Sequence, residues 1–173
     1  GGNSLPTDAR GSPRPAGGGV DVGAVEGAFS ATATIQTGDL LVTEGSNDAL
    51  YAISPSNGRR SLISKSGVRG SGPAITNPID VAVDSNQNIY VLDSTFQGVI
   101  QIDRNTGDRN IVSIGPTDAS TAGVTARGSG PEFSSPTSIA VVGAGQLAVT
   151  DSGSTAGVFS DAVFLIDVAT GNR

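Results

Sequence analysis

Short runs of alternating apolar and polar residues fill the chain from Ala31 to its last residue. Alternation with a period of two places successive side chains on opposite faces of a β-strand, so these runs predict strands. Three of the runs end in an acidic residue, at Glu44, Asp93 and Asp151, and each is followed by a short loop and a second alternating run. The pattern therefore predicts repeated antiparallel hairpins rather than helices.

The second strands of these hairpins run into a common type of turn. They occupy residues 49–54, 98–103 and 162–167, and the turns that follow contain Asn57-Gly58, Thr106-Gly107 and Thr170-Gly171. Glycine at this position supplies the positive φ that a tight hairpin turn requires. A last short strand follows the first two turns, at residues 60–64 and 110–114.

An identical string of five residues marks the spacing of the units. Arg69-Gly-Ser-Gly-Pro73 recurs as Arg127-Gly-Ser-Gly-Pro131, and the strands that begin at Pro78 and Pro136 are separated by the same 58 positions. An identical string at an identical distance from the next strand indicates a structural repeat.

One unit therefore comprises four short antiparallel strands, which is the pattern of a β-propeller blade. The predicted fold class is all-β, with about three blades in an incomplete ring, at residues 31–64, 78–114 and 136–173. We expect about eleven strands, those beginning at Pro78 and Pro136 being innermost, and no helix longer than two turns after residue 30. Residues 115–126 are interpreted as a surface loop between two blades.

The repeat resembles the NHL-type repeats of bacterial extracellular propellers over residues 31–173. The resemblance rests on the Gly-Ser-Gly-Pro lead-in, the Pro-led strand ending in Asp84, the strand ending in Asp93, and the Thr-Gly-Asp-Arg109 turn. Two positions depart from the pattern, and the first blade lacks the lead-in. Ile75 stands where Phe133 shows the usual aromatic residue, and Gly143 stands where Asp84 shows the usual acid. The resemblance implies a propeller that lies outside the cell.

Residues 1–30 differ from the repeat and are dense in Gly and Pro, so composition predicts a linker with one short strand at residues 20–25. Within them, Asp8-Ala-Arg-Gly-Ser-Pro-Arg-Pro15 and Val20-Asp-Val-Gly-Ala-Val-Glu26 follow each other. This pair resembles the end of secreted parallel β-helix domains of the choice-of-anchor Q type. The resemblance implies that residues 1–26 are the tail of a preceding β-helix domain.

The amino acids that are absent narrow the functional classes. The chain has no Cys, His, Met or Trp, which removes disulfides, thiol nucleophiles and His-based sites. A formal net charge of −6 argues against nucleic-acid binding, and no apolar run is long enough to span a membrane. Together with the resemblances, these features predict an extracellular or cell-surface protein. The few aromatic residues, among them Tyr90, Phe133 and Phe164, are assigned to the core.

Acidic residues at strand ends are the candidate ligand-binding groups. Glu44, Asp93 and Asp151 recur once per blade, and a ring of carboxylates near a propeller mouth could hold Ca²⁺ or a polar ligand. Alternatively, they end strands by accepting hydrogen bonds from backbone N–H groups in turns. Repetition favours the structural role, because catalytic constellations are asymmetric. On that interpretation Asp93→Asn costs about 1 kcal/mol and leaves any binding intact. The same alternatives apply to Asp84, Asp103 and Asp167.

Glycine-rich, hydroxyl and basic residues add no catalytic signal, so no catalytic residue or transition-metal ligand is predicted. The Arg-Gly-Ser-Gly-Pro strings lack the Lys-Ser/Thr of a phosphate-binding loop and are interpreted as turns between blades. Serine nucleophiles lack a base, because the chain has no His and a single lysine, Lys65. Four arginines in or beside the hairpin turns are interpreted as solvated or ion-paired, each worth little energy: Arg59, Arg60, Arg109 and Arg173.

Three functions remain open. The leading hypothesis is a non-enzymatic extracellular propeller module, within a larger secreted or surface protein, that presents a binding, adhesive or structural surface to a polysaccharide or protein. The alternatives are part of a propeller lactonase or lyase with metal ligands partly outside this chain, and a structural filament or spacer subunit. About three blades leave apolar faces and a sheet edge uncovered. We therefore expect the partners to be further blades of the same chain or copies of itself, with residues 20–25 as one source of the missing fourth strand.

Overall fold

The computed structural model describes residues 35–153 and 161–173. In these residues ten strands form three antiparallel sheets. The strands are β1 Leu40–Glu44, β2 Ala49–Ile53, β3 Arg60–Lys65, β4 Pro78–Val83, β5 Ile89–Asp93, β6 Gly98–Ile102, β7 Arg109–Ile114, β8 Pro136–Gly143, β9 Gln146–Asp151 and β10 Ala162–Asp167. A 3-10 turn at Gly45–Asn47 and the helix α1, Pro116–Ala122, complete the regular structure.

Each sheet is a simple meander in which strands that follow each other in sequence are neighbours. The first blade is β1-β2-β3, the second is β4-β5-β6-β7 and the third is β8-β9-β10. The second blade shows the four strands expected of a repeat, and the other two show three within the described residues. The predicted fold class is confirmed, because the chain is all-β and its sheets are consistent with blades of an incomplete propeller.

The core lies between the blades rather than inside any one of them. One cluster of buried side chains joins Leu50 and Ile63 of the first blade to Ile89 and Val91 of the second. A second cluster joins the second blade to the third and includes Leu92, Val99, Leu147 and Ile166. Burial of apolar surface between sheets is thus what holds the array together.

The aromatic residues assigned to the core belong to the second cluster. Tyr90 and Phe133 are buried, and Phe164 packs edge-on against Phe133 with 5.4 Å between ring centroids. This assignment is confirmed.

The strands that begin at Pro78 and Pro136 lie at the edges of their sheets and contact each other. Asp80 in β4 joins them directly. Its Oδ2 accepts hydrogen bonds from the Ser138 hydroxyl at 2.6 Å and from the backbone N–H of Ile139 at 2.8 Å. Innermost strands of adjacent blades contact each other, so the contact between β4 and β8 agrees with their predicted innermost position.

The link between the second and third blades contains the helix α1, so the interpretation as a surface loop is wrong for residues 116–122, although most of them are exposed. Pro116 begins the helix with the φ that a first helical residue needs, and Gly123 ends it at φ 69° in the left-handed region. Burial of Ala119 in the first core cluster stabilises this turn sequence as a helix. At seven residues it stays within the expected limit of two turns.

Asp118 in α1 carries a buried Oδ2 that has no hydrogen-bond partner. Burial, and then the nearby Glu132, raises the pKa of Asp118. When a carboxyl has a higher pKa in the folded state than in the unfolded state, the protein loses stability as pH rises from the unfolded-state pKa toward the folded-state pKa. The cost is therefore absent below the unfolded pKa and grows as pH rises through the folded pKa.

We expect Asp118→Asn to raise the free energy of unfolding at pH 7 by up to about 1 kcal/mol. Chemical denaturation of both proteins across acidic and neutral pH measures the difference. The advantage of the variant should vanish below the unfolded pKa, where wild-type Asp118 is protonated. An advantage that persists unchanged into acid would contradict the burial of a charge.

Several predictions fall on residues outside the described ranges. They are the linker or β-helix tail at residues 1–30 and the strand at residues 20–25 that was expected to supply a fourth strand. Within the described ranges, no helix is long and apolar enough to cross a membrane.

Candidate functional site

Asp93, the last residue of β5, is fully buried and accepts five hydrogen bonds. Its donors are the backbone N–H groups of Thr76 at 2.7 Å, Asn77 at 3.0 Å, Thr95 at 3.0 Å and Phe96 at 2.8 Å, together with the Thr76 hydroxyl at 3.0 Å. The first two residues lead into β4 and the last two form the β5–β6 loop. The carboxylate therefore ties the innermost strand to the hairpin beside it.

Asp151 repeats this arrangement at the end of β9. It is buried and accepts hydrogen bonds from the backbone N–H groups of Ser134 at 2.8 Å, Ser135 at 3.0 Å and Gly153 at 2.8 Å. Ser134 and Ser135 stand before Pro136 as Thr76 and Asn77 stand before Pro78. The same side chain in the same register thus closes the same end of two blades.

Glu44, at the end of β1, is held differently. It is half-buried, and its carboxylate accepts hydrogen bonds from the Asn47 amide at 2.8 Å and the Ser46 hydroxyl at 3.1 Å, which lower the pKa of Glu44. Among the residues that the structure describes, no three acidic side chains are arranged to hold a metal ion. Each of the three candidate acids is instead engaged within its own blade.

The other acids singled out in the sequence close turns. The backbone N–H groups of Thr106 and Asn105 lower the pKa of Asp103, and the backbone N–H and hydroxyl of Thr170 lower the pKa of Asp167. Asp84 accepts hydrogen bonds from its own loop and from the Tyr90 hydroxyl, at 3.1 Å. These contacts match the turn-closing role that was one of the two interpretations.

The burial of Asp93 changes the expected cost of replacing it. We expect Asp93→Asn to lower the free energy of unfolding by about 2 kcal/mol, above the earlier value of about 1 kcal/mol. The amide NH₂ that replaces one oxygen cannot accept from N–H donors, which are then left buried and unpaired. Glu44→Gln is the matched control, and because its partners are exposed side chains we expect little change. Thermal unfolding of the two variants gives the comparison, and equal losses would contradict the role of burial.

The Arg-Gly-Ser-Gly strings form a clasp between blades, which we define as Arg69–Gly72 against Thr106–Arg109 and as Arg127–Gly130 against Thr170–Arg173. In the first clasp Ser71 donates its N–H and hydroxyl to Asp108 Oδ1 at 2.7 and 2.8 Å. The N–H of Arg109 donates to the Ser71 carbonyl at 2.8 Å. In the second, Ser129 donates in the same way to Asn172 Oδ1, both at 2.9 Å. The interpretation of these strings as turns between blades is confirmed.

Glycine is required where the two halves of each clasp touch. A Cβ added to Gly70 would overlap the carbonyl oxygen of Gly107, and one added to Gly128 would overlap that of Gly171. Both Gly70 and Gly128 also have φ in the left-handed region, at 79° and 87°. Close backbone approach and positive φ together explain why the string recurs unchanged.

Two of the four turn arginines are structural, and their interpretation as solvated or ion-paired is wrong. Arg109 is buried and donates to the carbonyls of Pro73 at 2.6 Å, Arg69 at 3.0 Å and Gly70 at 3.2 Å, and to the Ser64 hydroxyl at 2.9 Å. This burial lowers the pKa of Arg109. Every one of these acceptors belongs to the first blade or the segment after it.

Arg173 repeats the contacts of Arg109 at the second junction. It donates to the Pro131 carbonyl and to the Ser113 hydroxyl, both at 2.6 Å, and lies 5.3 Å from the centre of the Phe133 ring. By contrast Arg59 forms the expected ion pair with Asp39 at 3.2 Å, and Arg60 is exposed. The sequence signal, an arginine two positions after a turn glycine, does not single out this pair, because the exposed Arg60 follows Gly58 in the same way.

The surface near the strand ends carries neutral polar groups. Loops that follow β1, β5 and β9, or precede β8, expose hydroxyl and amide side chains at Ser46, Asn47, Thr95, Ser135 and Ser152. A shallow open groove of about 440 Å³ lies elsewhere on the first blade, between residues 36–39 and 54–59. The two charged residues that line it, Asp39 and Arg59, pair with each other.

Comparison by sequence finds no relative, since no protein-family model and no curated protein matches the chain. Comparison of structures finds a gluconolactonase from Xanthomonas campestris, with a TM-score of 0.52 and 12% identity over 76% of this chain and 41% of that one. A protein of unknown function from Bacteroides thetaiotaomicron gives a TM-score of 0.48 and 18% identity over 64% of this chain and 29% of that one. The chain therefore spans less than half the length of either neighbour, and at 12% identity the likeness to the gluconolactonase is one of propeller-type fold alone.

Proposed function

We propose that the chain is a non-enzymatic module of an extracellular propeller that presents a binding or structural surface within a larger protein. The observation that carries the proposal is the engagement of the strand-end carboxylates. Both carboxylate oxygens of Asp93 and of Asp151 already accept hydrogen bonds from backbone N–H groups of the chain itself. A metal ligand or general acid–base group needs an oxygen free to meet the metal or the substrate.

The repetition of this device supports the same conclusion. A carboxylate that closes the second and third blades in the same way serves the repeat, whereas a catalytic group is needed at one place only. The clasp glycines and arginines likewise recur at both junctions. The features of this chain that are most specific thus join blades to one another.

The surface that supports binding is the neutral polar rim, which we define as Ser46, Asn47, Thr95, Ser135 and Ser152. Hydroxyl and amide groups donate and accept hydrogen bonds without a strong charge, which suits a neutral polysaccharide. The rim lies at the strand ends that Glu44, Asp93 and Asp151 close, and its loops beside Asp93 and Asp151 rest on buried carboxylates. A rigid platform lowers the entropy that binding must overcome.

Assays of calcium binding and of lactone hydrolysis test the proposal that the chain binds no metal and has no catalytic activity. We expect the melting temperature to be the same in calcium and in chelator, and a simple sugar lactone to be hydrolysed no faster than in buffer. A calcium-dependent rise in melting temperature, or hydrolysis that a chelator abolishes, would assign the chain to a metal-dependent lactonase instead.

Binding at the rim is tested by co-sedimentation with insoluble polysaccharides. We expect retention that falls when Thr95 and Ser152 are both replaced by lysine and that persists in the control Ser85→Lys, which is exposed in the β4–β5 turn at the opposite end of the strands. Circular dichroism checks that the variants remain folded. Equal retention of both variants would overturn the rim as the binding surface.

A further inference from the structure

Each junction between blades joins two kinds of sheet face. We call the face that a blade turns toward the preceding blade its leading face, and the opposite face its trailing face. At the first junction Ile89 and Val91 of the second blade form a leading face, buried against the first blade. At the second junction Leu92 and Val99 of the second blade form a trailing face, buried against the third.

The first blade has a leading face that nothing covers within the described residues. Leu40 and Val42 occupy the register of Ile89 and Val91, because Leu40 pairs with Ile53 as Ile89 pairs with Ile102. Leu40 is 56% exposed and Val42 37% exposed. Two side chains whose counterparts lie in the core are thus on the surface.

The third blade has a trailing face that is likewise uncovered within the described residues. Val163 occupies the register of Val99, because Val163 pairs with Thr150 as Val99 pairs with Leu92. Val163 is 64% exposed and its neighbour Leu165 is 55% exposed. The chain therefore carries both halves of a blade junction, each without its mate in the described residues.

The open leading face lacks the clasp that the internal junctions have. In those junctions the clasp serine donates to Asp108 or Asn172, which have acceptor oxygens. The corresponding position of the first blade is Arg59, which has only donors and pairs with Asp39. If a preceding blade were joined through an Arg-Gly-Ser-Gly segment, the serine of that segment would find no acceptor at Arg59. A junction at the open leading face therefore relies on contact between the sheet faces alone.

We propose that the open leading face binds the open trailing face of a second copy of this chain. The faces are the two halves of a contact that occurs twice within the chain, and no connecting segment is needed. Two copies supply six sheets, inside the range of about four to eight blades in closed propellers.

The contact is heterologous, because different surfaces of the two copies meet, and it closes when the second copy returns its trailing face to the first. Such a dimer buries both apolar faces of each copy. A head-to-tail dimer also makes a prediction that a symmetric face-to-face dimer does not, since damage to either face alone removes both contacts between identical chains.

Sedimentation of the full 173-residue chain at micromolar concentration tests the proposal. We expect a dimer, with Leu40→Arg and Leu165→Arg each weakening association at least about a hundredfold, because each buries an unpaired charge. Val68→Arg is the control, since Val68 is 67% exposed on a turn away from both faces, and it should remain dimeric. All three sites are exposed, so unchanged melting curves of the separated chains confirm folding.

Mixing the two defective variants gives the sharpest result. The Leu40→Arg chain keeps its trailing face and the Leu165→Arg chain keeps its leading face, so a mixed dimer forms through one sound contact. Association should therefore reappear on mixing equal amounts. A monomeric wild-type chain, a dimer sensitive to only one of the two substitutions, or no recovery on mixing would each overturn the proposal.

Discussion

Replacing Gly70 by alanine is expected to lower the free energy of unfolding by about 4 kcal/mol. The added Cβ would overlap the carbonyl oxygen and carbon of Gly107, which are backbone atoms of the next blade and cannot turn aside as a side chain can. The left-handed backbone at Gly70, with φ at 79°, adds the usual cost of a side chain in that region. Chemical denaturation measures the loss, and Gly128→Ala should show a similar one at the second junction.

Gly67→Ala separates the two causes. Gly67 has φ at 71°, close to that of Gly70, but a Cβ there meets nothing within 4 Å. We expect a loss of about 1 kcal/mol, which is the cost of the conformation alone. Equal losses for Gly67→Ala and Gly70→Ala would show that the blades tolerate the extra atom and that the clasp is looser than its geometry indicates.

Replacing Arg109 by alanine is expected to cost about 3 kcal/mol, because the substitution removes charged hydrogen bonds to three carbonyls and one hydroxyl in a buried junction. The acceptors come from residues 64–73, so the loss falls on the contact between the first and second blades. Native-state hydrogen exchange should show the amides of β3 and β7 losing protection together.

Two further substitutions define what Arg109 does. Arg60→Ala removes the exposed arginine in the same register of the first blade and should change the free energy of unfolding by less than about 0.5 kcal/mol. Arg109→Lys keeps the charge but cannot direct donors to several carbonyls at once, so it should recover only part of the loss. Full recovery of the free energy of unfolding by lysine would mean that the positive charge, rather than the planar guanidinium group, stabilises the junction.

The repeat unit and its strand order were determined by the sequence alone. Alternation of apolar residues with a period of two is a local property, and turn glycines follow from the φ that a hairpin needs. The 58-residue spacing of the Arg-Gly-Ser-Gly-Pro strings places equivalent strands in equivalent blades. These signals depend on neighbouring residues in the chain, so a single sequence contains them.

The helix α1 shows where local signals were outweighed. Its residues 116–122 include Pro, Thr and Ser, which are typical of turns, and no apolar stripe marks them as helical. Pro116 at the start, Gly123 at the end and the burial of Ala119 against the first core cluster together stabilise the helix. Only the last of these is a tertiary contact, and it is the one that sequence patterns do not contain.

Burial of charged groups was decided by tertiary structure. Arg60 and Arg109 occupy the same register after a turn glycine, yet Arg109 is buried and Arg60 is exposed. The difference lies in the preceding segment, because residues 64–73 provide Arg109 with its acceptors and no described residues do so for Arg60. Likewise Asp93 and Glu44 both end a strand, and only Asp93 meets backbone N–H groups from two segments. The strand ends could be read from the chain, but the partners that bury them come from segments brought together only by folding.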